Sequence, residues 1–201
     1  MKIIVVENNI INSNLSNSEN NFLSFYLKPD SAILRNNQHF YYPEFTKNID
    51  FTLNFVIKIN RLGKNIAKEY ACRYYKEITA GINFYISQKN NHFLSNDNQI
   101  NNIKLFDNSL PIGKLIDKDI FSDINNVNYS LLINEKEIIT SNTKFLKFKI
   151  DEIVSFVSRY LTIKIGDYIL TGIPVEANNL KIGDRVKVFM ENNLVLDFYI
   201  K

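Results

Sequence analysis

Residues 51–60, FTLNFVIKIN, alternate without a break. Phe51, Leu53, Phe55, Ile57 and Ile59 fall on one side, and Thr52, Asn54, Val56, Lys58 and Asn60 on the other. A period of two marks a strand. The same reading gives strands at KIIVV, at GINFYIS, and at FLSFYLKPDSAIL, where a Pro29-Asp30-Ser31 turn divides two extended pieces. NYSLLINEKEII folds back as a hairpin around Asn134-Glu135, and KIGDYILTGIP, LKIGDRVKVFME and NLVLDFYIK read as short strands and turns. Two stretches instead repeat at three and four. Ala67, Tyr70, Ala71, Tyr74 and Ile78 predict a helix over 66–78, and KIDEIVSFVSRYL predicts a second, with Ile153, Val154, Phe156, Val157 and Leu161 on its core side. The polar segment 7–21 reads as loop or weak helix, and 88–102 as a long loop, of a length that compact domains use for lids or binding loops. No repeat or linker interrupts the chain, so the pattern describes one β-rich α+β domain over residues 1–201.

Composition narrows the chemistry. Hydrophobic residues make up 45% of the 201, enough for a buried core, and 24 basic against 21 acidic residues leave an excess too small to argue for nucleic acid. The single cysteine, Cys72, excludes an intrachain disulfide and a cysteine-built zinc site, and its setting in IAKEYACRYYKEI reads as a structural thiol. His39 and His92 have no Cys, His or Asp at metal spacing and read as surface residues. The alternating lysines of KFLKFK read as an amphipathic strand or helix entry. The apolar run in MKIIVVENN is too short for a signal peptide or a membrane span, which gives an expectation of a cytoplasmic protein without a membrane partner.

The order of the motifs carries more than any one of them. The C-terminal succession of helix, TIKIGDYILTGIP and LKIGDRVKVFME resembles the fumarylacetoacetate hydrolase family, in which a Gly-Asp strand leads to a Thr-Gly-Thr-Pro turn and a second Gly-Asp follows. The likeness extends along nearly the whole chain. MKIIVVENN stands where small members begin with a strand and Gly-Arg-Asn-Tyr, FYLKPDSAIL stands for Leu-Lys-Pro-Asp-Ser-Ala, LGKNI precedes the first helix, and KLFDNS stands for Lys-Ala-Phe-Asp-x-Ser. The resemblance implies a mixed β-roll or β-sandwich with a few helices, assembled as a homodimer. It also implies metal-dependent cleavage of acylpyruvates, or decarboxylation or isomerisation of related keto acids, with Mg²⁺ or Mn²⁺ chelating the dioxo group.

Residues for that metal are where this chain departs from the pattern. A hard cation requires oxygen anions, and carboxylates two apart on a strand point to one side, about 7 Å apart. The family's Glu-x-Glu falls on Thr52 and Asn54, and its third carboxylate on Asn83. The family's arginine and the aspartate after it fall on Ser87 and Gln88. Lys104 follows Gln88 by sixteen residues, the family's own spacing, so the register is sound. The water-activating histidine falls near Ser13, and the second Thr of the turn is Ile173. Lys28, Thr171, Gly172 and Lys104 are retained. Lys104 is left without its metal partners, to pair with Asp107 or reach solvent, and serves either packing or a residual anion site.

On sequence alone Thr52 and Asn54 suit a solvated strand face; with the family register they become a neutral pocket wall. The resulting expectation is a non-catalytic or much weakened relative, structural or keto-acid-binding, with no metal and no other cofactor. The alternative is an active acylpyruvate hydrolase or oxaloacetate decarboxylase that holds Mg²⁺ or Mn²⁺ through other oxygens, such as Asp30, Asp50 or Asp97. A protein-interaction module, to which the pocket would be irrelevant, has no residue pattern in its favour.

Overall fold

The computed structural model describes residues 1–7, 9, 23–46, 48–86, 104–172, 176–177 and 180–201. In chain order the strands are β1 (Ile3–Glu7), β2 (Ser24–Lys28), β3 (Ile33–Leu34), β4 (Ile49–Ile59), β5 (Tyr75–Ile86), β6 (Leu110–Pro111), β7 (Ile116–Asp117), β8 (Asn128–Ile133), β9 (Lys136–Asn142), β10 (Tyr168–Leu170), β11 (Glu176–Ala177), β12 (Arg185–Met190) and β13 (Asn193–Tyr199). The α-helices among the described residues are α1 (Lys68–Ala71) and α2 (Ile150–Tyr160). This is the β-rich α+β architecture expected from the alternation.

The large sheet runs β2-β1-β10-β4-β5-β7, with β11 added to β4. A second sheet has the order β13-β12-β8-β9, and β3 pairs with β6. β4 and β5 are the backbone of the molecule. They pair antiparallel from Ile49↔Ile86 to Lys58↔Glu77 and shift register only at Lys58/Ile59. One face of this ribbon, Phe51, Leu53, Phe55, Ile57 and Ile59 with Ile78, Ala80, Ile82 and Phe84, joins the main core with Tyr129, Leu131, Ile139, Val186, Val188 and the inner face of α2. Each such side chain, fully buried, contributes about 2 kcal/mol. The opposite face is covered as well. Val56 packs there with Ile3, Val5, Ile33, Leu110, Ile112, Tyr168 and Leu170.

The 66–78 helix is corrected. Helix survives only over Lys68–Ala71, and from Tyr75 the chain is already in β5. The three-and-four spacing joined one helical turn to a strand whose Ile78, Ala80, Ile82 and Phe84 alternate into the core; pairing along β4 overrides the local pattern. Cys72 is also corrected: it lies just past that turn and is exposed. The second helix forms where expected, burying Ile150, Ile153, Val154, Val157 and Ser158, with Asp151 and Glu152 in its first turn and Arg159 in its last. The hairpin turns through Asn134 and Glu135, both with positive φ, at 51° and 65°. KFLKFK is a helix entry: it starts in a 3-10 turn, Thr143–Phe145, and ends at Lys149, the N-cap of α2. The 88–102 loop, with His92 and Asp97, lies outside the described residues. Among the described residues no helix is long and apolar enough to cross a membrane.

Candidate functional site

The second face of the β4–β5 ribbon gathers the polar residues. Strand alternation puts Thr52 and Asn54 on it, and the antiparallel register sets Asn83 directly across from Thr52 and Gly81 across from Asn54. Thr52, Asn54 and Asn83 are therefore brought together, and they are buried, at 8%, 2% and 6% exposure. A solvated strand face is excluded by these values. Asn54 Nδ2 donates to Thr52 Oγ1 at 2.9 Å, and Asn83 Nδ2 donates to the Tyr26 hydroxyl at 3.1 Å. Asn83 Oδ1 is buried with no hydrogen-bond partner. Turning the amide over would orphan its nitrogen instead, so one polar atom of Asn83 is unmatched in either orientation.

β2 lines the same face from the far side of β1. Tyr26 and Lys28, two apart, project together, and Lys28 is the buried lysine of the described residues, at 3% exposure. Its Nζ donates to Ser109 Oγ at 2.7 Å and to the Phe84 carbonyl at 3.3 Å, and lies 5.8 Å from the centre of the Phe106 ring. Among the described residues it makes no ion pair. Burial pulls its pKa down to about 7, and the Lys104 cation pushes the same way. Burial raises the Tyr26 phenol to about 12; the Asn83 hydrogen bond opposes the rise and the Glu7 carboxylate adds to it.

Lys104 neither pairs with Asp107 nor runs free into solvent. Its Nζ forms an ion pair with Glu7 and sits 4.8 Å from the centre of the Tyr26 ring. Asp107 instead accepts from Ser31 Oγ at 2.6 Å, bracing the turn after Lys28. Glu7, Tyr26 and Ser109 were not singled out from the sequence. Glu7 was accessible in principle, because Ile3, Val5 and Glu7 alternate onto one face of β1.

Thr171 and Gly172 are held by backbone contacts. Thr171 Oγ1 donates to the Phe55 carbonyl at 3.1 Å, and the Thr171 carbonyl accepts from Asn9 Nδ2 at 2.9 Å. Asn9 also exchanges two hydrogen bonds with Phe148, tying β10 to the approach of α2. Gly172 has φ +73° and packs so tightly on β1 that a Cβ would lie 2.2 Å from the Val6 carbonyl oxygen. Ser13, Ser87, Gln88 and Ile173 lie outside the described residues.

Divalent cations such as Mg²⁺ are held by anionic oxygens. Thr52 and two asparagine amides supply none, so this set does not fit such an ion. Among the described residues no three His, Cys, Asp or Glu side chains gather at metal-holding distance.

The family model described as fumarylacetoacetate (FAA) hydrolase C-terminal matches residues 6–196, and the chain belongs to that family. An uncharacterized protein of Methanocaldococcus jannaschii is 35% identical over 176 residues, which cover 88% of this chain and 72% of that protein. The mitochondrial oxaloacetate tautomerase of Xenopus laevis is 29% identical over 133 residues, 66% of this chain and 41% of that protein. Among solved structures, fumarylpyruvate hydrolase from Pseudomonas aeruginosa, in complex with Mn²⁺ and pyruvate, superposes with a TM-score of 0.85 at 20% identity, covering 100% of this chain and 89% of that one. The 5-carboxymethyl-2-hydroxymuconate delta-isomerase from Mycobacterium smegmatis gives 0.85 at 24% identity, covering 99% and 78%.

Proposed function

We propose that this chain is a metal-free, cytoplasmic member of its family that binds a small keto acid and has little or no hydrolase activity. One observation carries the reading: the buried trio Thr52, Asn54 and Asn83 is closely packed and uncharged. Dehydrating Mg²⁺ or Mn²⁺ requires carboxylates, and neutral amides do not offset that cost. The same neutrality suits a keto acid, whose carbonyl accepts hydrogen bonds from amides and whose carboxylate is attracted by lysines. Pyruvate, the ligand of the fumarylpyruvate hydrolase complex, is the simplest compound of this class.

Calorimetric titration with Mn²⁺ or Mg²⁺ is expected to give no binding tighter than about 1 mM. A tighter site would overturn the reading. A homodimer is proposed on the family resemblance, and light scattering of the purified protein reads it directly.

One feature favours a second reading. Asp50 lies two residues before Thr52 on the unshifted part of β4, hence on the same side of the ribbon. An active enzyme that recruits Asp50 would turn over acetylpyruvate or oxaloacetate, and both EDTA and Asp50→Ala would abolish the turnover.

A further inference from the structure

We propose that Lys28 is a covalent site, its Nζ condensing reversibly with the ketone carbon of a small 2-oxo acid to form an imine. The inference rests on the reading of this face as a keto-acid pocket, and adds to it a bond.

Lys28 is buried, at 3% exposure. A buried ammonium is ordinarily matched by a carboxylate. Here no carboxylate among the described residues pairs with Lys28, and the neighbours of its Nζ are a hydroxyl, a carbonyl and an aromatic ring. Such surroundings favour the neutral amine, the form that is nucleophilic. The charged group that acts on it is Lys104, held in turn by Glu7 of β1, and Tyr26 lies two residues away on its own strand. Lys104 as a neighbouring cation disfavours a second positive charge.

Chemically, the Nζ lone pair adds to the ketone carbon while the carbonyl π pair moves to oxygen. Nitrogen gives up one proton and oxygen takes one, yielding a carbinolamine. A further proton on that oxygen lets it leave as water, and loss of the second N–H proton from the resulting iminium balances it. Ketone and amine thus give imine and one water, with no oxidant or reductant. Ser109 Oγ, 2.7 Å from Nζ, is placed to relay the nitrogen's proton. Asn83 Oδ1, the buried acceptor without a donor, suits the carbinolamine hydroxyl.

The test uses the whole chain and pyruvate in two arms. Calorimetry without reductant measures binding; borohydride followed by peptide mass spectrometry locates any trapped adduct. The expected result is saturable binding and one reduced adduct on Lys28. The adduct is lost in Lys28→Met and kept in the exposed variant Lys114→Met. Trapping is expected to be roughly tenfold faster at pH 8 than at pH 6, as the neutral fraction of an amine with a pKa of about 7 changes. Saturable binding with no adduct on Lys28 refutes the imine and leaves the pocket reading standing. Adducts scattered over surface lysines refute it too. Absence of both binding and adduct removes the pocket reading along with the imine. Should Lys28→Met fail to fold, the peptide map of the unsubstituted chain still decides.

Discussion

Glu7 on β1 and Lys28 on the neighbouring β2 both feel Lys104, Glu7 as its ion-pair partner and Lys28 as a like charge. Lys28 makes stability depend on pH. In the unfolded chain its amine has the ordinary value of 10.5; in the folded chain burial lowers it to about 7. The unfolded state therefore binds more protons between those values, and this contribution to stability rises with pH across that window. Below pH 7 the full cost of burying the cation is present. Lys28→Met is expected to stabilise the protein at pH 6 by on the order of 3 kcal/mol, a gain that disappears as pH approaches 10.5, read by urea melts along a pH series. Of these residues, the sequence made Thr52, Asn54 and Asn83 legible, because alternation and spacing to Lys104 are local counts. The Glu7–Lys104 ion pair was not legible, because its partners are 97 positions apart and no local count relates them.

At the level of elements, one short motif does two different jobs. Gly166-Asp167 and Gly183-Asp184 read alike in the sequence. Asp167, with a fully buried side chain, accepts from the backbone N–H groups of Lys2 at 2.7 Å and Lys164 at 2.8 Å and pairs with Lys2 Nζ at 2.6 Å. Asp184 makes its corresponding turn bond to Lys181 at 2.8 Å near the surface. Asp167→Ala is expected to cost about 3 kcal/mol and Asp184→Ala about 1 kcal/mol, measured as a pair by chemical denaturation. Gly172→Ala combines a left-handed φ with a collision on the Val6 carbonyl, and is expected to lose more than about 2 kcal/mol. Elements defined by uninterrupted alternation, β4 above all, were legible. The start of β5 was not, since Tyr74 and Ile78 fit a helix until the neighbouring strand is known.

For the whole molecule, the two faces of the β4–β5 ribbon are independent in their demands. Thr52→Glu, Asn54→Glu and Asn83→Asp, combined, would bury three carboxylates on one face and leave the aromatic and aliphatic core of the other untouched. Without metal the triple variant is expected to melt below the parent through mutual repulsion; Mn²⁺ is expected to raise its Tm and leave the parent's unchanged. Thermal scans with and without Mn²⁺ check both halves. The overall architecture was legible because motif order survives when individual residues change.

The register of β4 against β5 is pinned from the core side, where a slip of one residue would turn Phe51, Leu53, Phe55 and Ile57 out of the interior. Selection for folding alone therefore keeps Thr52, Asn54 and Asn83 clustered, whatever they do. Such a face can change its chemistry while the fold beneath it keeps its shape.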